Sequence, residues 1–381
     1  MSDTTSKNEV TEELLKRVVS RGFDVQDIVI LPLLSVILAL IIGGVIMLAT
    51  GVAPDSILAS FGALFSGSLG SISAVSETLT SAAPLILAAL GIAVGFRAGL
   101  FNIGAEGQMI MGGVAAVVVG FSFEGMPIWL HLPLALLAGA LGGAIYASIA
   151  GWLRAATGAH EVILTIMLNL TAVRLLTYLL RNPPIQNPER SDPISKTVLE
   201  SARLPELLSW IDPALRIHGG LIVALLAVGL IYWLIYRSTI GFEFRASGAN
   251  PDAAHYAGIK AGFVIVAAMA LSGALAGLAG ANQVLGVLDR VSPNFTGGIG
   301  FDAIAVALLG RSHPIGVLVA GLLFGALQAG GRQMQAGAGV SLDLIAIIQA
   351  LIIIFIAAPM LVRMLFPWAF RREPGTTGAA K

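Results

Sequence analysis

The 381-residue chain contains no cysteine, so a disulfide framework and a thiolate metal site are both excluded. Charged residues make up only 12% of the sequence, whereas a soluble domain typically has about 25%. Lys and Arg together number 22, as do Asp and Glu, so the formal net charge is zero and gives no sign of a nucleic-acid-binding surface. Hydrophobic residues reach 56% and the mean hydropathy is +0.88. This composition indicates a protein that lies in a lipid bilayer.

Motifs for nucleotide binding, metal binding and catalysis are also missing. No GxxxxGK[ST] sequence occurs, so the chain has no P-loop with which to hold nucleotide phosphates. The five histidines are widely separated and none has the HExxH spacing of a zinc site: they are His131, His160, His218, His255 and His313. We therefore expect that this chain binds no cofactor or metal ion and is not an enzyme. Any work against a gradient must be driven by a partner or by an ion.

Long apolar segments recur along the chain at about 17 to 25 residues, the length that crosses the hydrocarbon core of a bilayer. We interpret ten of them as membrane spans, near residues 28–50, 77–96, 107–123, 131–153, 161–181, 219–236, 260–284, 299–310, 314–331 and 342–362. The eighth is short and suits a segment that crosses half the membrane. Between the first two, the apolar face of Ser56–Leu69 predicts a helix that lies in the interface or re-enters. The predicted fold is therefore all-α and polytopic.

Basic residues accumulate on the cytoplasmic side of membrane proteins and so indicate orientation. With the N-terminus placed inside, 14 of the 22 Lys and Arg residues are cytoplasmic, 7 are external and 1 lies within a span. Both termini are then cytoplasmic, with an amphipathic segment at 1–27 and a disordered tail at 363–381. The membrane domain is 28–362. Within it, 181–219 is the expected contact for an external partner, and 237–260 is cytoplasmic.

Two patterns bear on how the helices are arranged. Ten spans divide into two sets of five, and an odd number per half would make the second half antiparallel to the first, as in inverted-repeat transport folds. RAGLFNIGAEG at 97–107 and RVSPNFTGGIG at 290–300 share a loose rhythm of Arg, Asn and Gly that suits such a repeat. Glycines four residues apart also predict helix backbones that approach closely: Gly91 and Gly95, Gly139 and Gly143, Gly273 and Gly277, and Gly321 and Gly325.

Polar side chains at membrane depth are costly and usually face a cavity or a partner. The densest group lies in FNIGAEGQM at 101–109, where Asn102, Glu106 and Gln108 interrupt apolar surroundings. This segment suits either a substrate passage or a cytoplasmic turn in which Glu106 caps the next helix. Weaker candidates for the passage, each of which also suits an interhelical hydrogen bond or a loop, are Asn169, Asn282, Asn294 and Asp302.

A polar segment, GFEFRASGANPDAAHYAGIK at 241–260, separates two apolar runs. Asn250 and Pro251 form a helix-start signal, because the Asn side chain accepts from free backbone N–H groups and Pro suits the first helical position. Gly258 is typical of a helix stop. The short helix between them, with small residues on one side, suits docking onto a soluble partner. The alternative is a solvated connector.

Four motifs, in order, together resemble the permease subunits of bacterial ABC importers: FRAGLFNIGAEGQMIMGG, HEVILTIMLN, RASGANPDAAHYAGI and GFDAIAVALLGRSHPIGVLVAGLLFGAL. More narrowly, they are similar to the nucleoside and simple-sugar branch of the branched-chain amino-acid/ribose permease family. The resemblance implies a bacterial cytoplasmic (inner) membrane protein that moves nucleosides inward, with a sugar such as ribose or galactose as the alternative.

The resemblance also implies partners. These are an ABC ATPase subunit that hydrolyses the ATP, a second permease chain that makes a heterodimer, and an external substrate-binding protein. The segment at 237–260 would then be the coupling helix that contacts the ATPase. Its expected contact residues are Arg245, Gly248, Asn250, Pro251, Ala253, Ala254, Tyr256 and Gly258.

Two alternatives come from other classes. An ion-coupled secondary transporter would use Glu106 or Asp302 to carry a proton or to bind sodium. It would need no ATPase, and an ionophore would abolish its transport. A purely structural scaffold would tolerate the changes Glu106→Gln and Asn102→Ala without any effect on uptake.

Overall fold

The computed structural model describes residues 31–338 and 342–366, and within them the regular structure is helical. The helices are α1 (Leu31–Ala49), α2 (Pro54–Leu69), α3 (Ile72–Arg97), α4 (Ala105–Ser122), α5 (Ile128–Thr157), α6 (Glu161–Leu179), α7 (Gly220–Arg237), α8 (Thr239–Ala249), α9 (Pro251–Tyr256), α10 (Ala261–Gln283), α11 (Ile299–Leu309), α12 (Pro314–Ala338), α13 (Leu342–Ala357) and α14 (Pro359–Leu365). A π-helical turn, Val284–Leu288, extends α10. The predicted amphipathic segment at 1–27 and the tail beyond 366 lie outside the described residues.

Seven of these helices are long and apolar enough to cross a membrane: α3, α4, α5, α6, α7, α10 with its π-helical turn, and α12. Helices α1 and α11 are apolar but shorter. The described residues contain isolated β-bridges but no strand. The predicted all-α polytopic fold is thus confirmed. The count of ten spans and the cytoplasmic placement of both termini stay predictions.

The described residues divide into two compact units, of which one holds 31–57 and 346–366 and the other holds 58–338 and 342–345. In the first unit, α14 packs against α1, and Gly43 of α1 leaves room for the side chain of Ile348. The second unit contains α3 to α12 and all the residues discussed below. Its most buried long helix is α3, in which every residue from Ala82 to Gly95 is buried.

Glycine contacts hold α4, α5 and α10 together at backbone distance. A Cβ atom built on Gly277 of α10 would lie 2.2 Å from the carbonyl oxygen of Gly139, and one on Gly143 would lie 2.1 Å from that of Gly273. On α4, a Cβ on Gly112 would lie 2.3 Å from the Cα of Gly277. Lipid gives helices no hydrophobic reason to associate, so such close packing is what stabilises their contact. The close approach predicted from the glycine spacing is present at these helices.

Two connecting segments bring the starts of α4 and α11 together. The first connecting segment (98–104) joins α3 to α4, and the second connecting segment (289–298) joins the π-helical turn to α11. At their meeting point, a Cβ atom on Gly300 would lie 2.4 Å from the backbone nitrogen of Glu106. From there α4 runs toward the 181–219 segment, where Leu199 N–H donates to the Gly120 carbonyl. Helix α11 runs in the opposite direction, toward the end of α3. The Ser312 carbonyl, just beyond the end of α11, accepts from Arg97 Nε at 3.0 Å. Two helices that start together and diverge are consistent with an inverted arrangement.

Candidate functional site

Buried polar side chains surround the start of α4, in a group that we name the polar junction: Asn102, Glu106, Gln108, Asn169, Ser272 and Thr296. Helix α4 begins after Gly104, which has no side chain to cap it, so other residues must satisfy the nearby backbone groups. Asn102 does part of this, because its Oδ1 accepts from Gly104 N–H at 2.8 Å. Its Nδ2 donates to Gln108 Oε1 at 2.9 Å and to Ser272 Oγ at 2.8 Å. Asn102 therefore ties α4 to α10.

Asn169 of α6 fastens the same segment from the opposite side. Its Oδ1 accepts from Gly107 N–H at 2.9 Å, and its Nδ2 donates to the Ile103 carbonyl at 2.9 Å. Both ends of the amide are therefore occupied by the backbone of the first connecting segment and the first turn of α4. A buried backbone group without a partner is costly, so this arrangement stabilises an irregular chain inside the bundle.

Glu106, in the first turn of α4, links this helix to the second connecting segment and to α11. One carboxylate oxygen, Oε1, accepts a short hydrogen bond from Thr296 Oγ1, and the other, Oε2, accepts from Gly300 N–H at 2.9 Å. Gly300 lies in the first turn of α11, where the free N–H groups and the helix dipole favour an anionic partner. Glu106 thus caps a helix, as one of the two sequence interpretations proposed, but the helix is α11 rather than its own.

Two of the three other residues predicted for the passage, Asp302 and Asn294, lie nearby but outside the junction. Asp302, on α11, accepts from Gln328 Nε2 of α12 at 3.0 Å. Asn294 lies in the second connecting segment with a φ of 59°, a left-handed conformation that Asn tolerates in turns. Its side chain is exposed.

The first connecting segment begins beside α8, a helix that lies in the segment predicted to be cytoplasmic, 237–260. A Cβ atom on Gly248 would lie 2.3 Å from the Arg97 carbonyl oxygen, and one on Gly99 would lie 3.0 Å from the Gly248 Cα. Further along, Phe101 N–H donates to Glu161 Oε1 at 3.1 Å, and Glu161 also pairs with Arg154. The segment 101–109 therefore starts as a turn next to α8 and ends buried in the bundle. The substrate passage and the cytoplasmic turn both stay predictions.

Asn282 differs from the other buried residues predicted for the passage, because its side-chain polar atoms have no hydrogen-bond partner among the described residues. It is 1% exposed, and within the described residues neither Oδ1 nor Nδ2 has a hydrogen-bond partner. His218, which is 2% exposed, lies next to it, and its Nδ1 accepts from Gly220 N–H at 3.1 Å. The Nε2 atom of His218 is likewise without a partner among the described residues. These two side chains are hereafter the Asn282/His218 pair.

Room for this pair comes from glycines. A Cβ atom on Gly220 would lie 2.1 Å from Asn282 Nδ2, and one on Gly286, in the π-helical turn, would lie 2.5 Å from His218 Cε1. π-Helical turns are rare and often occur at functional sites. The pair can donate to and accept from a neutral polar group, and glycines at 220 and 286 are needed to hold it.

Sequence reasoning missed several of these residues. Glu161, Ser272, Thr296 and His218 were not selected, because each is an unremarkable residue until the fold gives it a partner. The one available signal was Glu161, an acid that directly precedes an apolar span in HEVILTIMLN. Within the described residues, no group of three or more His, Asp or Glu side chains is placed to hold a metal ion.

Burial of His218 gives a testable pH dependence. Desolvation, with a smaller contribution from the Arg216 charge, lowers the pKa of His218 from 6.5 to about 4. Between these two values the unfolded chain binds the proton more readily than the folded chain, so stability falls as the pH drops from 6.5 toward 4 and is unaffected above 6.5. From pH 6.5 to 5 we expect a loss of about 2 kcal/mol. The check is the apparent melting temperature in detergent at pH 7.5 and 5.0, compared with His218→Gln.

In this comparison the variant should show the shallower pH dependence, because glutamine has no proton to take up. His313, whose pKa is also lowered by burial, is present in both proteins and cancels. Equal slopes in the two proteins would contradict the prediction.

The predicted docking helix has the expected ends. Helix α9 begins at Pro251 with Asn250 Oδ1 accepting from Ala253 N–H at 3.0 Å, and Gly258 follows it with a φ of 85°. The two alanines expected to share a docking face are separated, because Ala253 is exposed and Ala254 is buried. The expectation for Ala254 is therefore corrected: on a helix it lies on the side opposite the exposed face. Tyr256 is 91% exposed.

The remaining docking candidates lie at the base of α9. Arg245 is half-buried and lies with its guanidinium 5.7 Å from the centre of the Tyr236 ring, a cation–π contact that directs it toward the bundle. Gly248 packs against the first connecting segment. These two residues thus connect α8 to the membrane helices, and the exposed surface is left to α9.

Long apolar helices interrupted by buried polar segments and by a solvent-exposed helix are typical of membrane transport proteins, and the fold assigns the chain to this class. The family described as branched-chain amino acid transport system/permease component matches residues 74–357. The chain belongs to this family and is a multi-pass protein of the cytoplasmic membrane.

Three relatives are similar over much of the chain. The guanosine ABC transporter permease protein NupP of Bacillus subtilis is 42% identical over 88% of this chain and 94% of its own length. The glucose ABC transporter permease protein TsgB13 of Haloferax volcanii is 38% identical over 85% and 86%. A second guanosine ABC transporter permease protein of Bacillus subtilis, NupQ, is 31% identical over 67% and 80%. No solved structure matches the chain significantly.

Proposed function

We propose that this chain is the membrane-spanning permease subunit of an ATP-driven importer that moves nucleosides, with purine nucleosides favoured, into the cell by alternating access. The observation that carries the proposal is the 42% identity to a guanosine permease over 94% of that protein's length. The chain binds no cofactor and has no ATPase site of its own, in keeping with the lack of a P-loop motif. A partner ATPase subunit hydrolyses the ATP, and an external binding protein delivers the solute.

Two further features support the assembly. Helix α9 is exposed and short, which suits a coupling helix that transmits closure of the ATPase subunits as a rigid-body movement of the spans. NupP and NupQ carry the same transporter name in one organism, and this chain is more similar to NupP. A heterodimer with a second, NupQ-like permease chain follows as part of the proposal.

For the solute contact we favour the Asn282/His218 pair over the polar junction. The junction side chains Asn102, Glu106, Gln108 and Asn169 are hydrogen-bonded to one another, to other side chains or to backbone. The side-chain atoms of Asn282 have no such partner in the part of the chain that the structure describes. Leaving a buried amide unpaired is costly, so a neutral hydroxyl- or amide-bearing solute that reaches this site would gain its hydrogen bonds. A simple sugar would meet the same requirement and is the second candidate, which the similarity to a glucose permease supports.

Uptake of labelled guanosine tests the function. In cells that carry the complete transporter, we expect deletion of this chain to abolish guanosine uptake that persists with an ionophore and with excess unlabelled ribose or glucose. Energy from ATP predicts resistance to the ionophore, because no ion gradient is used. The measurement is the initial rate of uptake in the deletion strain and in the same strain complemented with the wild-type chain.

Variants in the same assay give the controls. Asn282→Leu, which is close to isosteric, should raise the guanosine concentration for half-maximal uptake. Gln335→Leu, which also replaces an amide by Leu but at an exposed position of α12, should not. Uptake that collapses with the ionophore would instead favour the ion-coupled transporter. Sugar-sensitive uptake would move the assignment to a sugar permease.

A further inference from the structure

The second connecting segment is fastened to the 181–219 segment. Ser195 N–H donates to the Val291 carbonyl at 2.9 Å, and Val291 N–H donates to Ser195 Oγ at 2.8 Å. Val198 N–H donates to the Asp289 carbonyl at 2.8 Å. These bonds join backbone to backbone or to a buried hydroxyl, so the 181–219 segment cannot shift at this point without carrying the second connecting segment.

The first connecting segment is fastened to the opposite end of the unit. Gly248 of α8 lies against the backbone of Arg97 and Gly99 with no room for even a Cβ atom. Helix α9, which follows α8 directly in the chain, forms the surface proposed to meet the ATPase. If α8 moves, the start of the first connecting segment must therefore move with it.

Glu106 is where the two connecting segments meet. Its carboxylate is hydrogen-bonded to Thr296 of the second connecting segment and to Gly300 at the start of α11, while its own backbone begins α4 directly after the first. It is 6% exposed, and the Gly300 backbone touches it without intervening side-chain atoms. Among the described residues, Glu106 and its partner Thr296 are the side chains that make hydrogen bonds across this meeting point.

We propose that Glu106 is a positioning residue that couples the two ends of the permease: it transmits docking of the loaded binding protein on the 181–219 segment to α8 and α9, and ATP-driven movement of α8 and α9 back to the 181–219 segment. This inference rests on the proposed function, because it needs an external and a cytoplasmic partner. Glu106 acts through hydrogen bonds to Thr296 and Gly300 and does not touch the solute. For the two binding equilibria this coupling is reciprocal, as linkage between two binding sites requires.

The test uses the complete transporter, purified and reconstituted with its second permease chain and its ATPase subunit. ATP hydrolysis is measured alone and with the guanosine-loaded binding protein, and the ratio of the two rates reports the coupling. We expect Glu106→Ala to reduce this ratio about tenfold, a typical size for coupling between two sites. Glu106→Gln keeps one acceptor and should lie between the wild type and Glu106→Ala.

Thr296→Val is the second variant, since it removes the donor on the other side with almost no change of shape. We expect it to lower the ratio as well, and the double change Glu106→Gln with Thr296→Val to be no worse than the stronger single change, because both remove the same link. Glu124→Gln, the same substitution at an exposed site between α4 and α5, should keep the wild-type ratio.

The outcomes separate cleanly. Wild-type ratios in Glu106→Ala and Thr296→Val would overturn the proposal, as would additive effects in the double variant. Lost guanosine uptake with an unchanged ratio would assign Glu106 to the solute path instead and would equally overturn it. A wild-type complex that guanosine-loaded binding protein fails to stimulate would refute the proposed nucleoside function, a failure visible without any variant.

Discussion

Replacing Gly277 with alanine should destabilise the permease strongly, although the change adds a single methyl group. The new Cβ would lie 2.2 Å from the Gly139 carbonyl oxygen and 3.0 Å from the Gly143 Cα, and both are backbone atoms that no rotamer change can move. Helices α5 and α10 must therefore separate, and α4 with them, because Gly112 rests on the same residue. We expect a loss of about 3 kcal/mol, the upper end of the usual cost of overpacking.

The measurement is the apparent melting temperature of the purified protein in detergent, together with the monodisperse fraction on size-exclusion chromatography. Gly229→Ala is the matched control. Gly229 lies within α7, and a Cβ atom there has no neighbour within 4 Å. Alanine also favours the helix over glycine by about 1 kcal/mol, so the control should be neutral or slightly more stable. Equal melting temperatures for both variants would contradict the packing described for α5 and α10.

The local features of this fold could be predicted from the sequence because their causes are local. Asn250, Pro251 and Gly258 are close in the chain, and each acts on its own helix end, so the bounds of α9 were predictable. Glycines four residues apart lie on one helix face whatever the partner, so Gly139 and Gly143 indicated close packing without identifying α10 as the partner.

Long-range partners were not predictable, and they decide the character of the site. Glu106 and Gly300 are separated by 194 positions, and nothing near either residue indicates the other. The same holds for Asn282 and His218, because only the fold shows that Asn282 and the His218 Nε2 atom have no hydrogen-bond partner among the described residues. The sequence also could not predict which side of α9 is buried. Ala253 and Ala254 are the same residue type, and only the orientation of the helix makes one exposed and the other buried.

Replacing Tyr256 with alanine should greatly reduce import while leaving the fold intact. The side chain is 91% exposed at the end of α9, so its loss removes almost no packing within the chain. An exposed aromatic residue on a docking helix is, however, the kind of residue that contributes most to a protein interface. Truncation of such a residue typically costs about 2 kcal/mol or more, which corresponds to about a 30-fold weaker association.

Two measurements check the Tyr256 prediction: the amount of ATPase subunit that copurifies with the tagged permease, and the rate of guanosine uptake. Both should fall, and the apparent melting temperature of the isolated permease should not. Tyr178→Ala is the control, because Tyr178 is 64% exposed on α6 near the 181–219 segment, away from α9. If Tyr256→Ala keeps the ATPase subunit and wild-type uptake, α9 is a solvated connector and the coupling surface must lie elsewhere on the same end of the protein. If the melting temperature falls as well, Tyr256 stabilises the fold of the permease, and the lower uptake is no evidence that α9 docks onto the ATPase subunit.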